Sequence, residues 1–498
     1  MQHTEPLWNP IERFFVFDPS QPLLFNSEVF FAWFAVIYGL YLLVHKQVQL
    51  RVMLLLVFSL FFYYKSSGLF FLLLILSTVV NFFTGAWLHK ASSATQRKLW
   101  MWFSVIFNLG LLGYYKYTNF VIDTINNLQG VVSFAHWPEL TTLDIILPVG
   151  ISFFTFQAMS YTIDIYRQKI KPINNLFEFG FFISFFPQLV AGPIVRASDF
   201  LPQIRKKISL SKVELSRALF LIMSGLVKKA VISDYISVNF VDRVFDNPAL
   251  YSSFETWTAF YGYALQIYCD FSGYSDMAIG IALLFGFHLP DNFLAPYQSA
   301  SITEFWRRWH ISLSGWLRDY LYISLGGNRK GTFNTYRNLF LTMLLGGLWH
   351  GASWKFVLWG ALHGTWLVIE RLLKPVLEKI PVAFRKVPGI LYTFHLVCFA
   401  WIFFRASSFE LAVAFIQSMF GTFDLALAKE VVTAYPYVFG LLGLGFVLHA
   451  IPLKTDAAIQ RLFGKLPLPV MAVVLAAIII VVIQLSSSQV VPFIYFQF

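Results

Sequence analysis

Apolar runs recur along the whole chain. The clear ones are Val29–Val44, Val52–Tyr64, Phe70–Leu88, Leu99–Tyr115, Phe177–Val195, Leu219–Ile236, Trp257–Phe287, Leu339–His350, Phe356–Leu373, Ile390–Phe404, Tyr435–Ile451 and Val470–Leu485. Lipid offers no partner to a backbone N–H or C=O, so a segment that crosses it must satisfy its own backbone, and runs of this length do so as helices. Composition agrees: 57% of the 498 residues are hydrophobic and 13% charged, where soluble domains carry roughly 25% charged residues. The 56 phenylalanines and 15 tryptophans suit lipid-facing surfaces and interfacial belts. The expected fold is an all-α polytopic integral membrane protein with about eleven transmembrane helices. Several runs are only 12–17 residues long, and others contain Pro148-Val149-Gly150, Pro187 or Gly192-Pro193. Short, broken helices predict tilted or re-entrant elements around a protein-lined cavity. Residues 1–27 read as an N-terminal interfacial segment and residues 28–498 as one membrane domain.

Charge sorts the loops. Net charge is +11, and the cations cluster in His45–Arg51, His89–Lys98, Arg196–Lys212, Arg307–Arg337 and Lys374–Lys386. Ile122–Asp144, Ser237–Glu255 and Gly421–Glu430 are poor in Lys and Arg. The positive-inside rule puts the first set in the cytoplasm and the second on the periplasmic or extracellular side, with the N-terminus outside. No Lys/Arg stripe alternates with stacking aromatics, so nucleic acid is not an expected partner. Two scattered cysteines, Cys269 and Cys398, argue neither for a disulfide framework nor for a nucleophile. The segment Met1–Asn26 holds Glu5, Glu12 and Asp18 and has no basic stretch leading into an apolar one, so no cleavable signal peptide is expected. Phe14-Phe15-Val16-Phe17 predicts a short interfacial lead-in.

Against this apolar background two features are costly. One is a cationic insert, Phe305-Trp306-Arg307-Arg308-Trp309-His310 through Gly326-Gly327-Asn328-Arg329-Lys330 to Arg337, with six Lys/Arg. The other is His350, inside Leu344-Leu345-Gly346-Gly347-Leu348-Trp349-His350-Gly351-Ala352. Ionisable groups in membrane segments mark functional sites by default. His350 reads either as a hydrogen-bonded core histidine or as a general base in a glycine-lined cavity walled by Trp349. His310 reads as an interfacial helix-end residue or as a second imidazole that orients substrate or relays a proton. Arg307, Arg308, Arg329 and Lys330 are topology anchors or a phosphate clamp, since guanidinium forks match phosphate oxygens. The Gly-x4-Gly-Lys-Ser/Thr pattern is absent, which leaves ATP hydrolysis unsupported. Asp270 and Asp276 lie inside Trp257–Phe287, with Ser272 between them. They form an interhelical network or line a substrate tunnel, and an ion pair with an insert arginine would suit both. His363, His395 and His449 have no partner at metal-ligand spacing and read as structural, so no metal is expected.

Several long pieces occur in a set order: Leu147-Pro148-Val149-Gly150-Ile151-Ser152-Phe153-Phe154-Thr155-Phe156-Gln157, Phe186-Pro187-Gln188-Leu189-Val190-Ala191-Gly192-Pro193, Tyr268-Cys269-Asp270-Phe271-Ser272-Gly273-Tyr274-Ser275-Asp276, the Phe305–Arg329 insert, and Gly347-Leu348-Trp349-His350-Gly351-Ala352. Together they resemble the membrane-bound O-acyltransferase (MBOAT) family, and within it the bacterial proteins of alginate and related polysaccharide O-acetylation. The resemblance implies a ring of tilted helices around a central funnel and acyl transfer from a thioester to a hydroxyl. It makes His350 the catalytic residue and His310 its companion. It implies donor binding near Arg307, Arg308, Trp309, Asn328 and Arg329, and a tunnel lined by Trp306, Asp270, Ser272, Asp276, Gln188 and Trp349. No tightly bound cofactor is implied. The donor would be acetyl-CoA or an acyl-carrier thioester, and the acceptor an exported or cell-surface polysaccharide. The partner would be a periplasmic esterase-like (SGNH/DHHW) protein, and the location the bacterial inner membrane. The competing class is a transporter or flippase that moves an acyl group or glycan without chemistry.

Overall fold

The computed structural model describes residues 12–131, 138–485 and 493–494. Residues 1–11 of the expected lead-in, and residues 132–137 of the Lys/Arg-poor loop, lie outside the described residues. Every element among the described residues is helical, as the apolar runs predict. Among the described residues, three helices are long and apolar enough to cross a membrane: Val48–Lys90, Trp354–Leu377 and Val382–Arg405. Two bent pairs raise the number to five if each is one span: Leu425–Ala434 with Pro436–Ala450 (89°), and Leu453–Phe463 with Leu468–Gln484 (114°). By length and apolarity, then, the expected count of about eleven is not reached. Glu28–Val44 is short at 17 residues. Ser253–Leu284 reaches 32 residues but carries Gln266, Asp270, Ser272 and Asp276 along its length.

The chain packs as two compact units, Met1–Leu215 with Ile281–Leu289, and Ser216–Gly280 with Pro290–Phe498. In the first unit, three helices, Phe71–Lys90, Ala94–Leu112 and Ile151–Tyr166, are joined by a fully buried polar zipper. Asn108 Nδ2 donates to Asn81 Oδ1 (2.8 Å), Ser104 Oγ donates to the same oxygen (2.8 Å), and Ser104 Oγ meets Thr162 Oγ1 (2.9 Å). Where apolar surface faces lipid, small polar side chains of this kind hold helices together. The lead-in residues are tied down: Trp33 Nε1 donates to the Phe14 carbonyl (3.0 Å), and Lys65 Nζ donates to the Arg13 carbonyl (2.9 Å). Arg51, at the end of a loop read as basic, is buried. Its guanidinium donates to the carbonyls of Ile204, Lys206 (2.7 Å) and His45 (3.1 Å). It thereby serves the end of Ala197–Ile204, where the last helical carbonyls lack intrahelical donors.

The second unit contains the helical hairpin that presents His350. Gly331–His350 ends on that residue and packs against Trp354–Leu377. A Cβ on Gly347 would overlap the Phe356 carbonyl oxygen, and one on Gly360 would overlap the Met343 carbonyl oxygen. The glycines before His350 therefore admit a neighbouring backbone. Any side chain at Gly347 must push the two helices apart. Gly347→Val is expected to cost at least about 1–3 kcal/mol as overpacking, seen as a lower unfolding temperature in detergent. Gly440→Ala is the control, because nothing lies within 4 Å of its Cβ position. An unchanged unfolding temperature for Gly347→Val would contradict the close crossing.

Candidate active site

His310 sits between two short helices, Ile302–Arg308 and Ile311–Trp316, with a left-handed backbone (φ +44°). A non-glycine residue held there costs of order 1–3 kcal/mol, and such positions cluster at functional sites. The side chain is fully buried. Its Nδ1 meets Asn292 Oδ1 at 3.1 Å. That oxygen also accepts from the Ser312 backbone N–H (3.2 Å) and Ser312 Oγ (2.9 Å), while Asn292 Nδ2 donates to Ser275 Oγ (3.2 Å). A backbone N–H can only donate, so the atom facing His310 is the amide oxygen. His310 must therefore carry its hydrogen on Nδ1, and the neutral ring holds its lone pair at Nε2. The backbone bond from Ile311 N–H to the Asn292 carbonyl (3.0 Å) keeps the two chains in register.

The imidazole of His310 lies edge-on to Phe271, with ring centroids 4.6 Å apart, and 6.3 Å from the ring of Trp349. Trp349 in turn meets His350 at 5.1 Å. The two histidines, forty residues apart in sequence, thus share one aromatic neighbour. His350 is buried, with Trp359 (5.0 Å) and Phe404 (5.5 Å) on its other sides. This cluster has the parts that proton transfer to or from a hydroxyl needs: two imidazoles in a dry, aromatic site, one with its tautomer set by a neighbour.

Other expected residues are placed differently. Asp270 and Asp276 do not pair with insert arginines. Their cations come from the irregular helical turn Val227–Ser233: Lys229 Nζ lies 2.5 Å from Asp270 Oδ1 and 2.7 Å from Asp234 Oδ1, and Lys228 Nζ 2.7 Å from Asp276 Oδ2. A buried charge needs a partner of this kind, and two adjacent lysines on the helical segment before the long helix supply it through tertiary packing. The second oxygen of Asp270 accepts from the Ile494 N–H (3.0 Å), and Phe493 packs on Tyr274 (4.8 Å) and Phe271 (5.5 Å). Ser272 is buried on the same long helix. Trp309 is not at the surface: it is buried against Phe293 (5.0 Å) and Trp401 (5.1 Å) as core packing. Arg308 is held by Glu304 at 2.6 Å, one helical turn away, whereas Arg307, Asn328 and Arg329 are exposed. The Gly326–Gly327 turn uses positive φ at both glycines, and buried Asn338 donates to the carbonyls of Leu325 (3.2 Å) and Gly327 (3.0 Å). Trp306 is half-buried and donates its indole N–H to His363. Gln188 belongs to the first unit, buried, with its Nε2 donating to the Phe182 carbonyl.

Asn292, Lys228, Lys229 and Ile494 were not singled out from the sequence. The available signals were Lys228-Lys229 inside the apolar run Leu219–Ile236 and Asp291-Asn292, a polar pair shortly after a long apolar run.

A profile of the membrane-bound O-acyltransferase family matches residues 58–413. The chain belongs to this family. The matched stretch takes in His310, Asn292 and His350, and leaves Phe493 and Ile494 outside. Among curated relatives in the family, the probable alginate O-acetylase AlgI of Pseudomonas putida is 41% identical over 501 residues, covering 96% of this chain and all of its own. The peptidoglycan O-acetyltransferase of Helicobacter pylori is 39% identical, covering 70% of each chain. The teichoic acid D-alanyltransferase of Bacillus subtilis is 28% identical, covering 53% of this chain and 69% of its own. The protein is therefore a membrane O-acyltransferase by family.

Proposed function

We propose that the protein moves an acetyl group from a cytoplasmic thioester, acetyl-CoA or an acyl-carrier thioester, to a hydroxyl of an exported or cell-surface polysaccharide, directly or through a periplasmic esterase-like partner. The acetyl group and the glycan acceptor are supported by relatives named for alginate and peptidoglycan O-acetylation. The observation that carries the chemistry is the hydrogen bond between His310 Nδ1 and Asn292 Oδ1. It leaves the His310 lone pair at Nε2, the form a general base requires. The hydroxyl proton goes to His310 Nε2, its oxygen attacks the thioester carbonyl, and the C–S bond breaks. The departing thiolate takes the proton back from the imidazolium. The resemblance alone makes His350 the base and His310 its companion; the tautomer at His310 favours His310 for the first proton transfer. His350, beyond Trp349, is the second imidazole of the site and borders the same aromatic cluster.

The deciding experiment is mass spectrometry of the surface glycan from cells with the gene deleted, restored, or restored as His310→Ala/His350→Ala. Loss of O-acetyl groups with the deletion and with the folded double variant supports transfer. Wild-type acetylation by the double variant would return the reading to a transporter. The donor surface makes a separate expectation. Arg307 is exposed and Arg308 already pairs with Glu304. Arg307→Ala should therefore raise KM for acetyl-CoA several-fold, more so at low ionic strength, where exposed charges are less screened. Arg308→Ala should do less. A KM unchanged at both salt concentrations would leave Arg307 as a topology anchor.

A further inference from the structure

His363 read as structural in the sequence, yet its surroundings are unusual. It is fully buried on Trp354–Leu377, four residues after Trp359 and so on the same helix face. The indole N–H of Trp306 donates to His363 Nδ1 at 3.3 Å. An indole nitrogen can only donate, so Nδ1 holds the lone pair and the hydrogen of neutral His363 is on Nε2. Among the described residues that Nε2–H meets no acceptor, and neither does the buried Nε1–H of Trp359. The two rings are in contact, with centroids 4.7 Å apart, and Trp359 also borders His350 at 5.0 Å. Two buried N–H donors on adjoining rings, one ring from a candidate catalytic imidazole, call for an acceptor that arrives with the substrate. A buried donor with no acceptor costs about 1–3 kcal/mol, which a substrate oxygen would offset.

We propose that Trp359 Nε1–H and His363 Nε2–H hold the carbonyl oxygen of the acyl group as it becomes an oxyanion, with Trp306 fixing the His363 tautomer. The inference rests on the acyl-transfer reading above. In the step, the hydroxyl oxygen adds to the carbonyl carbon, and the carbonyl π pair moves onto the oxygen facing the two N–H groups. The C=O then re-forms as the C–S bond breaks, so the pair is donated to and released within one transfer. Such donors act on the transition state, where the charge on oxygen is greatest, more than on the bound thioester.

The test measures kcat and KM for acetyl-CoA with the full-length protein in detergent or nanodiscs. Trp359→Phe keeps an aromatic ring and removes the N–H. It is expected to lower kcat about 10²–10³-fold, as for one oxyanion donor, with KM near wild type. His363→Gln retains an N–H donor and an acceptor for Trp306, and should keep more kcat than His363→Leu. That ordering also stands if Trp359→Phe proves poorly folded. Folded variants with kcat within twofold of wild type, or a rise in KM at constant kcat, would overturn the assignment while leaving acyl transfer intact. A wild-type protein that releases no CoA would overturn both.

Discussion

His310→Ala is expected to lower kcat for acyl transfer by about 10²–10⁴-fold, the usual contribution of a positioned general base, while the protein remains folded. The reasoning runs from one atom. Asn292 Oδ1 takes the Nδ1 hydrogen of His310, and that oxygen is identified by the Ser312 backbone N–H that also binds it. Alanine removes an imidazole whose proton-accepting nitrogen its hydrogen bond to Asn292 defines. Asn292→Leu should do less, because the imidazole stays in place between Phe271 and Trp349 but loses the partner that selects its tautomer. A graded loss, His310→Ala below Asn292→Leu below wild type, is the expected pattern in kcat. Circular dichroism and gel filtration in detergent check that each variant is intact. Equal rates for wild type and folded His310→Ala would remove His310 from the chemistry.

The second large effect concerns stability. Lys229→Met is expected to destabilise the protein by about 3–5 kcal/mol, the cost of stranding buried charge without its partner. Lys229 is almost fully buried and bridges Asp234 and Asp270, so its loss leaves two neighbouring carboxylates without their shared cation. Asp270 also accepts the Ile494 N–H, which couples the ion cluster to residues near the C-terminus. Lys229→Met combined with Asp234→Asn and Asp270→Asn should recover much of the stability, since neutral groups of similar shape carry no such penalty. Unfolding temperature in detergent is the measurement. A single variant as stable as wild type would mean that the cluster is hydrated and belongs to a water-filled path.

What the sequence makes legible follows from what is local. Helical class is written in the apolar runs, and the insert announces itself because charge is rare elsewhere. The link from His310 to His350 is not local: it passes through the Trp349 ring and depends on a hairpin whose closeness is set by Gly347 and Gly360. Gly347 reads from sequence as part of a glycine-lined cavity, and packing fills that room with the neighbouring backbone. Partner choice is likewise tertiary. The carboxylates of Ser253–Leu284 had insert arginines as plausible partners by charge alone, yet lysines of the preceding segment lie nearer. Asn292 escaped notice, and His363 read as structural, because an amide and a buried imidazole show their chemistry only through the atoms they touch. The number of spans was the weakest reading, because polar side chains inside long helices such as Ser253–Leu284 lower apolarity without shortening the helix.

The central claim is thioester-to-hydroxyl transfer that depends on the paired imidazoles, and membranes from producing cells, given acetyl-CoA labelled in the acetyl carbon, test it most directly. Label recovered as base-labile ester in the glycan is the quantity to compare between wild type and His310→Ala/His350→Ala at equal amounts of folded protein. The account predicts ester formation in wild-type membranes and a loss of at least about 10²-fold in the double variant. Ester formed at the wild-type rate by the folded double variant would contradict it.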